Sequence, residues 1–117
     1  MNILGLDYGA SHIGVALATG PLAGPLTTLS PRALIPSLKD IIKKHHIEAI
    51  IIGMHDASMH DTLLQFGIPI HEVDETLSSH DARQSLLHTT QTRRKQYEHS
   101  VAATIILQSW LDSNQHI

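Results

Sequence analysis

The chain contains no cysteine. That excludes disulfides and thiolate-ligated metal centres, and it fits a reducing compartment, so a cytoplasmic location is expected. No apolar run approaches the length of a membrane span, and the N-terminus has no charged region followed by a long apolar one. Neither an anchor nor a leader is expected. Positive charge is also in short supply: eight Lys and Arg against eleven Asp and Glu give a net charge of −3. A globally basic nucleic-acid binder is thereby excluded, and any phosphate partner must be met locally. Aromatic residues make up only 3% of the chain, and Trp110 and Tyr97 read as core residues rather than platforms for bases.

What is present describes an ordinary globule. The 117 residues, 42% apolar and 16% charged, suffice for a single domain over 1–117 with one real core. Two basic clusters stand out locally: Lys39, Lys43 and Lys44 with His45 and His46, and Arg93-Arg94-Lys95. Histidine is unusually frequent, at ten residues, although each alone reads as a surface or packed side chain.

The opening stretch MNILGLDYGASHIGVA sets one carboxylate at a bend between two apolar, β-prone runs. Asp7-Tyr8-Gly9-Ala10-Ser11-His12 turns the chain, with a glycine available for a positive φ. An ionised aspartate at the end of a buried strand is costly unless turn N–H groups, a cation or a metal compensate it. An Asx-type hairpin turn is the plainer alternative.

Strands are expected over 2–8 and 12–18, with a weaker one over 22–29 that Gly24 and Pro25 interrupt, as suits a sheet edge. Ser30-Pro31 opens a helix in which Leu34, Leu38, Ile41 and Ile42 recur at helical spacing, with Lys39, Lys43 and Lys44 opposite; Pro36 falls early in it. Residues 48–52 are apolar and β-branched, a buried strand closed by Gly53. Leu63, Leu64 and Phe66 suggest a short helix capped by Gly67. A strand over 68–73 then delivers Asp74-Glu75. A helix begins at Ser78, and a last one runs from about Arg93 to Leu111, with Val101, Ala102, Ile105, Ile106 and Trp110 inward. Three meandering strands followed by alternating strands and helices imply an α/β fold: a ribonuclease-H-like mixed five-stranded sheet with helices on both faces.

Polar, metal-capable side chains end buried elements at Asp7, at Asp74-Glu75 and at Glu98-His99. Asp7 and Glu75 share the carboxyl edge of the sheet if the first and last strands are parallel. Converging carboxylates suit hard divalent ions, which can activate water against a phosphodiester. Asp74 or Glu75 could equally be helix N-terminal acids. His55, His60 and Asp61 do not have the spacing of a recognised metal motif and read as solvated.

Gly5-Leu6-Asp7-Tyr8-Gly9 with Ile13-Gly14-Val15-Ala16 resembles the opening motif of the YqgF/RuvX family, Holliday-junction-resolvase-like proteins linked to pre-16S rRNA cleavage. Ile51-Ile52-Gly53, the run Val73-Asp74-Glu75-Thr76-Leu77-Ser78-Ser79 and the C-terminal stretch from Ala102 to Asp112 resemble its later motifs, in the same order from end to end. The resemblance implies a ribonuclease-H-like fold and a three-acid site for Mg²⁺ or Mn²⁺. Carried over by position, the acids are Asp7 and Glu75, while the third acid's place holds His99. Histidine is a neutral, softer ligand, so the set Asp7, Glu75 and His99 leans towards Mn²⁺. Glu98 lies about 100° round the helix from His99 and does not substitute for it. Ser11 stands where the family carries a lysine, and Thr76 where it carries an arginine. The loop after Gly53 is shortened. Arg93, Arg94 and Lys95 could contact a nucleic-acid backbone, or form only a solvated helix start.

The leading expectation is therefore a metal-dependent nuclease acting on structured nucleic acid, RNA ahead of DNA, as a monomer or homodimer. A catalytically degenerate RNA- or protein-binding module is the alternative. An actin-like ATPase or sugar kinase also carries an Asp-x-Gly phosphate turn, but needs two such domains.

Overall fold

The computed structural model describes residues 1–9, 11–53, 59–73 and 91–113, with the backbone alone over 91–98. Five strands form one sheet: β1 Ile3–Tyr8, β2 Ile13–Ala18, β3 Ala23–Leu29, β4 Ala49–Gly53 and β5 Ile70–Val73. Their spatial order is β3-β2-β1-β4-β5. The first three are antiparallel neighbours, whereas β4 runs parallel to both β1 and β5. The sheet is thus mixed and five-stranded, and β1 and β5 point the same way. Helix α1 spans Leu34–His45, a short α2 spans His60–Leu63, and α3 spans Gln91–Ser113.

Strand alternation assigns the two faces different sizes. Leu4, Leu6, Ile13, Val15, Ile50 and Ile52 point to one side, where Leu34 and Leu38 of α1 and Leu63 of α2 complete a core of branched side chains. On the other side, Ile3, Ala16, Ala18, Ala49 and Ile51 meet Ala103, Ile106, Leu107 and Leu111 of α3. Small residues on this second face let a helix settle close to the sheet. Leu38 is fully buried, so Leu38→Ala should lower the stability read by urea unfolding by about 2–5 kcal/mol.

The inward set of α3 differs from the sequence expectation. Ala102, Ala103, Ile106, Leu107 and Leu111 are buried, whereas Val101, Ile105 and Trp110 are only partly so. The contact stripe is turned towards the smaller Ala103 because the sheet beneath is glycine- and alanine-lined. Trp110 sits at the rim, where its ring lies 5.1 Å from that of His71.

Several ends follow the local chemistry. β3 is an edge strand whose register slips between Val15 and Ala16, with Pro25 opposite Ala16. An edge accommodates both, since the proline gives up a ladder N–H and the bulge leaves a residue unpaired. Pro31 opens a 3₁₀ turn over Pro31–Ala33 before α1, and Pro36 falls in the first turn of the helix, where its missing N–H has no partner to lose. His46 adopts φ 54° and ends α1, donating its N–H to the Ile42 carbonyl. The Asn2 amide donates to the His45 carbonyl at 2.6 Å and satisfies another end group. Gly67, at φ 72°, ends the 3₁₀ turn Leu64–Phe66.

Gln108 ties α3 to the β2–β3 turn. Its Oε1 accepts the Ala23 N–H at 2.8 Å, and its Nε2 donates to the Pro21 carbonyl at 3.0 Å. No described helix is long and apolar enough to cross a membrane. The expected helix from Ser78 lies outside the described residues.

Candidate active site

Asp7 lies on β1 in phase with Ile3 and Gly5, so its side chain shares the face that α3 covers. The β1–β2 register sets Asp7 opposite Gly14 and Gly5 opposite Ala16. α3 runs back over this column: Leu107 packs at Gly5 and His99 at Gly14. A Cβ on Gly5 would stand 2.7 Å from the Leu107 Cβ and 2.8 Å from the Ala103 carbonyl oxygen. At Gly14 it would overlap the His99 carbonyl group and the Ser100 nitrogen. Two glycines thus bring the helix backbone down onto the hairpin.

That close approach puts His99 beside Asp7. The His99 Nδ1 is 3.1 Å from the Asp7 Oδ2, with the carboxylate 13% and the imidazole 31% exposed. A carboxylate has only lone pairs to offer, so the ring donates its Nδ1–H. Nε2 is then the nitrogen left for another partner. Gly9 completes the corner: its N–H donates to the His12 carbonyl at 2.8 Å. The expected positive φ at Gly9 is not adopted, since Gly67 alone has one among the described glycines. Space is what requires glycine there, because a Cβ would stand 2.5 Å from the His99 Cε1.

The structure therefore joins two of the three expected site residues, Asp7 and His99. Glu75 lies outside the described residues, as do Asp74 and Thr76; β5 ends at Val73 and runs parallel to β1 towards the same edge. Among the described residues, no group of three acids and histidines is arranged to hold a metal. Arg93, Arg94 and Lys95 stand in the first two turns of α3, four to six residues before His99, or about 6–9 Å along the axis. His55 is outside the described residues, and His60 instead pairs with Glu72, Nδ1 to Oε2 at 2.9 Å.

One neighbour escaped the sequence reading. The exposed His12 ring lies 6.1 Å from that of His99 between centroids, with the planes 22° apart. The hairpin length carried the signal: pairing Tyr8 with Ile13 and Asp7 with Gly14 sets residue 12 at the mouth, two residues before the partner of Asp7.

The RuvX family model, described as Holliday junction resolvase, matches residues 1–63 and 56–113. The chain belongs to the RuvX family. It is 34% identical to a Moorella thermoacetica protein named "Putative pre-16S rRNA nuclease", over 96% of this chain and 95% of that one. Proteins of the same name from Caldanaerobacter subterraneus and Legionella pneumophila are 30% and 32% identical, covering 99% and 96% of this chain and 99% and 96% of their own lengths. Among solved structures, the chain resembles Thermus thermophilus RuvC in complex with Holliday junction substrate, with TM-score 0.62 and 13% identity over 99% of this chain and 96% of that one. It likewise resembles the Fowlpox virus resolvase in its complex with Holliday junction DNA, with TM-score 0.63 and 11% identity over 98% and 99%. These likenesses establish the ribonuclease-H-like fold. In this RuvX chain, the Asp7 corner has the place in the sheet that open α/β folds give to their sites, the carboxyl end of a parallel strand.

Proposed function

We propose that the chain is a divalent-metal-dependent nuclease that hydrolyses phosphodiesters of structured RNA, in 5′-end maturation of 16S rRNA, with four-way DNA junctions as the lesser substrate. The observation that carries this reading is the Asp7–His99 pair at 3.1 Å, built where β1 ends and α3 crosses it. The names of relatives that match nearly the whole chain support the substrate class.

The donor set fits a divalent cation of borderline character. One carboxylate and one imidazole suit Mn²⁺ better than Mg²⁺, which takes oxygen ligands. Asp7 would supply charge through a carboxylate oxygen and His99 the nitrogen that faces it, Nδ1, with the ring proton moved to Nε2, and Glu75 would be the second acid by resemblance. When bound, the ion supplies an activated water and stabilises the leaving oxygen. The residues' own contribution is positional. Until an ion enters, the Nδ1–H bond to Asp7 keeps both side chains at the corner. Arg93, Arg94 and Lys95 would meet backbone phosphates, in a chain whose net charge offers little other attraction.

Incubating the purified protein with a structured RNA and with a four-way DNA junction, in Mg²⁺ and separately in Mn²⁺, tests the reading. RNA cleavage that is faster in Mn²⁺ supports it, and an inert protein under all four conditions overturns it. His99→Asp should shift ion preference towards Mg²⁺, lowering the Mn²⁺-to-Mg²⁺ affinity ratio on the order of tenfold by calorimetry.

Ser11 and Thr76, standing at the family's lysine and arginine positions, favour a second reading, a binding module without catalysis. Under that reading His99→Asp creates no cleavage in either ion.

A further inference from the structure

The Asp7 corner carries a second ring for which the proposed hydrolysis has no use. His12 is exposed at the mouth of the β1–β2 turn, and its plane lies within 22° of that of His99. Their 6.1 Å centroid separation is at the long end of the range for paired rings, and His12 is exposed to solvent beside this neighbour. The His99 ring and the His12 backbone are both anchored. His99 is held by its bond to Asp7 and by its backbone against Gly14, and the His12 carbonyl accepts the Gly9 N–H.

A solvent-facing ring on an anchored backbone is a surface on which an unpaired base stacks, and histidine serves in this way for RNA. The chain has few other candidates. Tyr8 and Phe66 pack against the core on the α1 side, and Trp110 packs against the α3-side core beside His71. Among the described residues, His12 and His99 are thus the rings at the mouth of the Asp7 corner.

We propose that His12 is a stacking site for one unpaired nucleobase of an RNA substrate, beside the Asp7–His99 pair. The proposal rests on the nuclease reading above and adds a substrate preference to it. Continuous duplex keeps its bases stacked on one another and offers no face, so the preferred RNA has a single-stranded or splayed nucleotide at the site.

A single-stranded 12-nucleotide RNA with a central 2-aminopurine, titrated with the full chain in EDTA, tests this without cleavage. The native protein should bind and quench the fluorophore. His12→Ala should weaken binding about fivefold or more and lose the quench. His12→Phe, which keeps a ring and removes the polar nitrogens, should bind like the native chain. The same RNA annealed to its complement should bind independently of residue 12. Both variants should melt like the native protein, because the side chain is exposed. Equal binding by His12→Ala, or a His12→Phe as weak as His12→Ala, overturns the stacking site. If His12→Ala binds normally and Mn²⁺-dependent cleavage persists, the stacking site falls and the nuclease reading stands. A native chain that binds no RNA in EDTA and cleaves none in Mn²⁺ overturns both.

Discussion

Gly14→Ala is expected to destabilise the protein by about 3 kcal/mol or more, at the top of the range for overpacking. The added methyl would overlap the His99 carbonyl and the Ser100 nitrogen, which are helix backbone and cannot rotate aside as a side-chain tip can. Relief requires α3 to lift from β1 and β2, and that lift would also open the contacts of Ala103 and Leu107 with the sheet. In a small domain stable by about 5–15 kcal/mol, such a loss is a large share of the total. Urea unfolding measures it, with Gly20→Ala as control. A Cβ at Gly20 meets nothing within 4 Å, so that variant should stay within about 0.5 kcal/mol of the native chain. Cleavage by the Gly14 variant should fall further than its folded fraction, because the same lift parts His99 from Asp7.

Asp7→Asn should leave the fold intact and reduce cleavage on the order of a hundredfold or more. The amide has nearly the same shape, and its oxygen can still accept the Nδ1–H of His99, so the geometry of the corner survives. Charge is what the substitution removes. Equal melting temperatures with unequal rates on one structured RNA in Mn²⁺ would separate the two contributions. Unchanged cleavage by Asp7→Asn would remove Asp7 from the chemistry.

Much of the sheet was legible because its strands obey simple local rules. The short apolar run at the start of Ile3–Tyr8, the β-branched run before Gly53 and the Gly24-Pro25 interruption each point to a strand, and the strands follow. Helix α3 was legible as a helix but not in its rotation. Periodicity favoured Val101, Ala102, Ile105, Ile106 and Trp110, and of these Ala102 and Ile106 are buried, whereas the helix also turns Ala103 and Leu107 inward because Gly5, Gly14 and Ala16 make a shallow bed beneath it. That preference is set by a facing surface, and no single segment reveals it.

The site divides in the same manner. Asp7 was visible as a carboxylate closing a buried strand, and His99 through its place before the Ala102-Ala103 pair. Their contact depends on two glycines remote from His99 in sequence, whose role is space rather than turn geometry. His12, one histidine among ten, carries no signal until the hairpin register sets it two residues from Gly14, the partner of Asp7.

That Asp7 and His99 together hold the ion is tested most directly by pulsed EPR of the intact chain loaded with Mn²⁺. An imidazole-nitrogen coupling is expected in the native protein, absent from His99→Asp with Mn²⁺ still bound, and accompanied by weakened Mn²⁺ binding in Asp7→Asn. Tightly bound Mn²⁺ with no nitrogen coupling in the native protein, or a spectrum unaltered by either substitution, would contradict the assignment.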